Sequence, residues 1–244
     1  MKTGLIEKLK NIRTLEIGKW KRWGYLLPAV LLVWAGFYAY GELTQLPPQE
    51  AVLQGLAKTI NTPSYRYHAV AVRNLDGQET LISEVSGEKN LQGVHLKGNL
   101  PIIQAEVEVY HLGDTLFRRD SLTDGWVVVP EQGRPAVEQL IAEINPLGAF
   151  HFTEQDNIVV KRVGKESIRG KSCRIYEVMG RGVNEYMALY WQDFNYRLWI
   201  DKKDGVIRRA EVLAEHRDNS LHHLKITVEM MDFNETIEIQ PPQT

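Results

Sequence analysis

The 244-residue chain contains one cysteine, Cys173. That scarcity removes an internal disulfide framework and any cysteine-based zinc or iron–sulfur site, and leaves Cys173 as a packed strand residue. Equally absent are GxSxG, HExxH, P-loop and dinucleotide-binding fingerprints; Gly180-Arg181-Gly182 lacks the strand, third glycine and helix that the last would need. Neither sign of charge is in excess, with 29 Lys and Arg against 31 Asp and Glu, which argues against a nucleic-acid partner in bulk. There is no low-complexity tract and no repeat of about 20 to 50 residues, which excludes solenoids and propellers. What is present is an ordinary globular composition, 43% hydrophobic, enough for one sizeable core.

The near-neutral total conceals an asymmetry. Residues 1–22 hold seven basic side chains (Lys2, Lys8, Lys10, Arg13, Lys19, Lys21, Arg22) and two acids (Glu7, Glu16), so the rest of the chain is net acidic. Between them, Trp23 to Tyr40 is an uncharged run of 18 residues. As a helix it would span roughly 27 Å, close to the thickness of a bilayer core. Trp20, Trp23 and Tyr25 at one end and Phe37, Tyr38 and Tyr40 at the other would form interfacial belts, and Lys19, Lys21 and Arg22 would hold the amino terminus in the cytoplasm. The expected organisation is a basic cytoplasmic tail (1–22), a transmembrane helix (23–41), a linker (42–48) and an extracytoplasmic domain (49–242). A cleaved signal peptide ending near Ala39-Tyr40-Gly41 is the competing reading. No cysteine follows the run at a lipidation position. Residues 1–18 read either as an amphipathic helix on anionic lipid or as a solvated basic tail.

Leu46-Pro47-Pro48 makes a stiff stop. Gln49 to Asn61 then shows helical spacing, with Val52, Leu53, Leu56, Ala57 and Ile60 forming the apolar stripe. From Tyr65 onward the period changes to two. The segments Tyr65–Asn74, Glu79–Gly87, Leu91–Lys97, Ile103–Leu112, Thr115–Asp120 and Trp126–Pro130 read as strands joined by tight turns such as Asp76-Gly77. In Ile103–Leu112, Val107 and Val109 fall on one face and Glu106, Glu108 and Tyr110 on the other. A second helix is expected over Pro135–Ile144, then strands over Ile158–Val163, Lys171–Val178, Glu185–Trp191, Tyr196–Asp201, Val206–His216 and Ser220–Asn234. The spacing favours one large antiparallel sheet or open barrel, a mainly β, α+β fold with two helices. Its apolar face needs cover, which a curved sheet wrapped over both helices would supply.

Candidate chemistry is sparse. His216, His222 and His223 flank the Asp218-Asn219 turn, but His222 and His223 point to opposite faces of a strand and cannot jointly hold a metal without a bulge. Glu106 and Glu108 share one face in the manner of a glycosidase pair, yet Gln104 and Tyr110 mark that face as solvated. Arg118-Arg119 and Arg208-Arg209 would each send one guanidinium to either face, most simply into ion pairs, with a phosphate headgroup as the alternative. No catalytic residue, metal or cofactor is expected.

The order of elements resembles the LolA-like superfamily of lipoprotein carriers, with its LppX-type lipid-binding and RseB-type sensor relatives. The resemblance is carried by the helix Gln49–Asn61 leading into strands and by Asp124-Gly125-Trp126-Val127-Val128-Val129-Pro130 before the helix ending Ile144-Asn145-Pro146-Leu147. It is also carried by the closing pattern Leu198-Trp199-Ile200-Asp201, Asp204-Gly205-Val206-Ile207-Arg208-Arg209, Met231-Asp232-Phe233-Asn234 and Pro241-Pro242. It implies an eleven-stranded half-barrel over helices that binds a lipid, an acylated protein or another apolar ligand without catalysis. The lining would then be Leu53, Leu56, Ile60, Val107, Val109, Trp126, Leu140, Ile144, Phe150, Leu198 and Ile200. Those same residues could instead make a filled core, with the domain serving an envelope protein partner. Two departures stand out: the domain reads as tethered where carriers are soluble, and the lipidated cysteine of the LppX type is missing.

Overall fold

The structure is a computed structural model and describes residues 46–101, 104–120, 123–131, 159–179 and 187–242. The expected membrane span and the second helix lie outside these residues, as do Leu140, Ile144 and Phe150. No described helix is long and apolar enough to cross a membrane.

Helix α1 (Pro48–Ile60) begins on Pro48, whose missing N–H costs nothing at a first turn. Eleven strands follow: β1 (Tyr65–Leu75), β2 (Gln78–Lys89), β3 (Gly93–Leu100), β4 (Ala105–Leu112), β5 (Thr115–Arg119) and β6 (Trp126–Val128), then β7 (Val159–Ile168), β8 (Lys171–Met179), β9 (Trp191–Asp201), β10 (Ile207–His216) and β11 (His223–Met231). They form one antiparallel sheet in the order β6-β5-β4-β3-β2-β1-β11-β10-β9-β8-β7. Left-handed residues make the tight connections: Asp76 and Gly77 between β1 and β2, and Arg169 and Gly170 between β7 and β8.

Two meanders, β1–β6 and β7–β11, are therefore joined where the first strand pairs with the last, from Arg66 opposite Met231 to Asn74 opposite His223. Tyr65, Tyr67, Ala69 and Ala71 on β1 and Leu224, Ile226, Val228 and Met230 on β11 face the same side and are buried. With Tyr176, Val178, Tyr196, Leu198, Ile200, Ile207 and the helix residues Val52 and Leu56, they make the main core. Each large apolar side chain so buried contributes about 1.5–3 kcal/mol. A second cluster, Val85, Leu96, Val109, Leu116 and Val129, lies on the β2–β6 half of that face.

Three expectations change. The segment expected as a strand over Glu185–Trp191 contains a single helical turn, α2 (Met187–Tyr190), and β9 starts at Trp191. Strand β7 continues to Ile168, past the expected end at Val163, because a register shift between Arg162 and Gly164 absorbs Val163 and lets pairing resume. Helix α1 is rotated about its axis relative to the apolar stripe: its buried residues are Val52, Gly55, Leu56 and Thr59, while Ala57 and Ile60 are exposed. The reason is specific. A Cβ on Gly55 would stand 2.9 Å from the Ile200 side chain, so the missing methyl lets the helix approach the sheet. Thr59 is fully buried because its hydroxyl donates to the Gly55 carbonyl at 2.7 Å and accepts the Ile207 N–H at 2.9 Å. With both roles satisfied, the polar side chain sits in the core without penalty.

Candidate functional site

The expected lining residues separate into groups. Leu56, Leu198 and Ile200 meet in the main core, where Leu198 is wholly buried. Leu53 is half-buried on α1. Val109, with Val107 packed against it, belongs to the second cluster. Ile60 is 51% exposed at the helix end and belongs to neither cluster among the described residues.

Trp126 is a correction. It pairs with Arg119, and its indole packs edge-on against Tyr110, whose ring stacks on His95 at 4.0 Å. Val107 and Val109 alternate with Tyr110, so Trp126 lies on the face away from α1. The bulk and apolarity of the indole suggested the core; strand parity decided otherwise.

Residues not singled out by their sequence also matter. Tyr65, Tyr67, Tyr176 and Tyr196 all lie on the covered face and are buried. Their signal was the period of two within the strands. Burial pushes the Tyr196 phenol up to about 12 and raises those of Tyr65 and Tyr67, so all three remain neutral at physiological pH. The Tyr67 ring occupies the space a side chain at Gly87 would need. Its hydroxyl is buried without a hydrogen-bond partner among the described residues, a polar point on an apolar face that costs about 1–3 kcal/mol while unmet. Ala69, Ala71, Ala210 and Ala214 keep the floor of β1 and β10 low.

The opposite face is polar and crossed by ion pairs. Asp232, Arg66, Glu88, His95, Glu108, Arg119 and Asp124 form a chain of contacts of 2.8–3.4 Å crossing β1 to the β5–β6 turn. Burial opposes ionisation of Glu108, but the Arg119 and His95 hydrogen bonds outweigh it and hold the carboxyl below its ordinary range. Glu108 is thus a structural anion, which removes the glycosidase-like pairing with Glu106. Of the histidines, His222 lies 3.3 Å from Asp76 and His216 packs edge-on against Trp191. Among the described residues no group of three or more His, Cys, Asp and Glu is arranged to hold a metal ion.

Both arginine pairs contribute to ion pairs. Arg208 Nε meets the buried Asp201 at 3.1 Å and its guanidinium lies over the Phe233 ring at 4.6 Å, while Arg209 binds Glu229. Asp232 and Asn234 are left-handed turn residues, and Phe233 packs on Tyr65. The closing pattern is accordingly structural. Two recesses of about 700 Å³ each open among the described residues. One lies on the polar face around Val70, Val72, Leu213, Lys225 and Thr227, and the other lies beside the end of α1 around Lys58, Arg169, Lys171 and Phe233.

Compared with solved structures, the chain is similar to the lipoprotein LppX from Mycobacterium tuberculosis. The identity is 14%, the match covers 78% of this chain and 97% of that one, and the TM-score is 0.51. The fold is LppX-like. LprF from Mycobacterium bovis (13% identity, 81% and 97% coverage, TM-score 0.49) and a LolA superfamily protein from Nitrosomonas europaea (11%, 80% and 96%, 0.35) are further matches. No family model and no curated protein matches the chain. At 14% identity the likeness concerns architecture and assigns no residue a role.

Proposed function

We propose that the domain binds a lipid, an acylated protein or a similar apolar ligand on the helix-covered face of the sheet, without covalent chemistry. The observation that carries this reading is the covered face itself. Eleven strands present one apolar face, while α1, the only helix of more than one turn among the described residues, packs on β7, β9 and β10. The small floor residues, the unmet Tyr67 hydroxyl and the LppX-like architecture support the same reading. Affinity would come from apolar area removed from water, about 25 cal/mol per Å². In this proposal residues 23–41 tether the domain to the outer side of a cell membrane with residues 1–22 in the cytoplasm, which suits hand-over or sensing at the membrane face better than long-range shuttling.

A second reading, contact with an envelope protein through a sheet edge, is favoured by one observation. Edge strand β6 leaves Val127 and Val128 46% and 51% exposed. Native mass spectrometry of residues 46–244 with a long-chain fatty acid separates the two. Ligand binding predicts a mass increment of one probe and stabilisation of about 2.7 kcal/mol at a hundredfold excess over Kd. An unchanged mass and melting temperature at saturating probe would refute it, and retention of an envelope protein by the same domain would then support the second reading.

A further inference from the structure

The 46–244 region carries 22 Lys and Arg against 28 Asp and Glu, yet residues 159–174 hold six of those cations (Lys161, Arg162, Lys165, Arg169, Lys171, Arg174) and one acid, Glu166. The remainder is therefore strongly acidic. Those residues are the hairpin of β7 and β8, and β7 is an outermost strand of the sheet. All except Arg174 are exposed. Glu166 accepts the Trp199 indole N–H at 2.6 Å and Arg169 reaches Glu229 at 3.5 Å, but one acid against six cations leaves the hairpin itself with a net positive charge. Lys161 and Lys171 have no ion-pair partner among the described residues. Exposed apolar groups accompany the charge: Val159 and Val163 on β7 and Met179 at the end of β8 are 51%, 47% and 38% exposed.

Edge cations do block strand-to-strand aggregation. Protection alone does not explain the whole set, because only Lys161, Arg162 and Lys165 stand on β7 itself, while Arg169 lies in the turn and Lys171 and Arg174 on β8, and because β6, the other edge of this same sheet, carries no charge at all. Cations concentrated along one edge with half-exposed valines beside them match the chemistry of an anionic bilayer surface, which attracts each nearby Lys or Arg while the interface accepts short apolar side chains. The acidic remainder of the domain would be repelled by the same surface. Attraction at one edge and repulsion elsewhere fix an orientation. We propose that the β7–β8 hairpin docks the domain edge-on against anionic phospholipid, bringing the recess between Arg169, Lys171 and the end of α1 to the headgroups.

The compact unit from Pro48 onward contains the whole sheet, so residues 46–244 can be tested without the basic amino-terminal tail. Co-sedimentation would compare phosphatidylcholine vesicles with vesicles containing about 30% phosphatidylglycerol, at about 0.05 M and 0.5 M salt. The expected result is binding only to the anionic vesicles, lost at high salt. Lys161→Glu with Lys171→Glu should weaken it about tenfold or more, whereas Lys97→Glu with Lys225→Glu, which changes net charge equally on the polar face, should weaken it far less. No binding to anionic vesicles, equal binding to neutral ones, or equal loss in both double variants would each overturn the proposal. Should the hairpin variant unfold, the wild-type salt and lipid dependence still decides. The test uses no apolar ligand, so its outcome is independent of the ligand-binding reading.

Discussion

Replacing Asp201 by alanine tests how the end of the sheet is held together. The Asp201 side chain is 2% exposed and that of Arg208 10%. One carboxylate oxygen accepts the N–H groups of Lys203 (2.8 Å) and Asp204 (3.2 Å), and the other accepts Arg208 Nε (3.1 Å). Removing one member of a buried pair costs about 3–5 kcal/mol, because the partner stays buried and unmatched. Here Arg208 keeps a 2.9 Å contact to the more exposed Asp204 and its place over Phe233, so the lower end, about 3 kcal/mol, is expected. For a domain of this size that lowers the melting temperature by about 6–12 °C. Urea unfolding at pH 7, followed by tryptophan fluorescence, measures it. The sign of the pH dependence is also fixed. Burial opposes ionisation of Asp201, but the Lys203 and Asp204 N–H groups and Arg208 outweigh it and hold the carboxyl below its ordinary value of 3.8. A depressed folded value means that the stabilisation is fully present above pH 3.8 and is lost as pH falls through the folded value. The gap between wild type and Asp201→Ala should narrow in acid. A loss below about 1 kcal/mol at neutral pH, or a gap that widens in acid, would refute the argument.

Thr59→Val should cost about 1–3 kcal/mol in the same assay, since it leaves the Ile207 N–H buried without an acceptor, and Thr59→Ser should recover most of that loss. Gly87→Ala places a methyl group where the Tyr67 ring lies; a loss of about 1–3 kcal/mol is expected from overpacking, and an unchanged melting temperature would show that the ring moves freely. Cys173 is fully buried, and burial followed by the nearby Asp201 charge raises its thiol pKa. A thiol-reactive dye should therefore label it only after unfolding, and rapid labelling of the native protein would contradict the packing.

Much of the architecture was legible in the sequence. The period of two fixes which residues of a strand share a face, and it correctly paired Val107 with Val109 against Glu106, Glu108 and Tyr110. Turn pairs such as Asp76-Gly77 fixed where hairpins close, because few residues tolerate positive φ. The exclusion of cysteine-based sites followed from counting alone. Tertiary structure decided the rest. Hydropathy placed Thr59 outside the core and Ile60 inside it. The order reversed because a hydroxyl with both hydrogen bonds met is cheap to bury, while a glycine two-thirds along the helix selects the face that can approach Ile200. Trp126 moved to the polar face because parity is inherited from the strand it pairs with, here β5. The joining of β1 to β11 involves residues more than 140 positions apart, and no local pattern encodes which two edges meet. The cationic edge shows both levels at once: the six basic residues are visible in the sequence, but only the sheet order reveals that the hairpin carrying them ends the sheet.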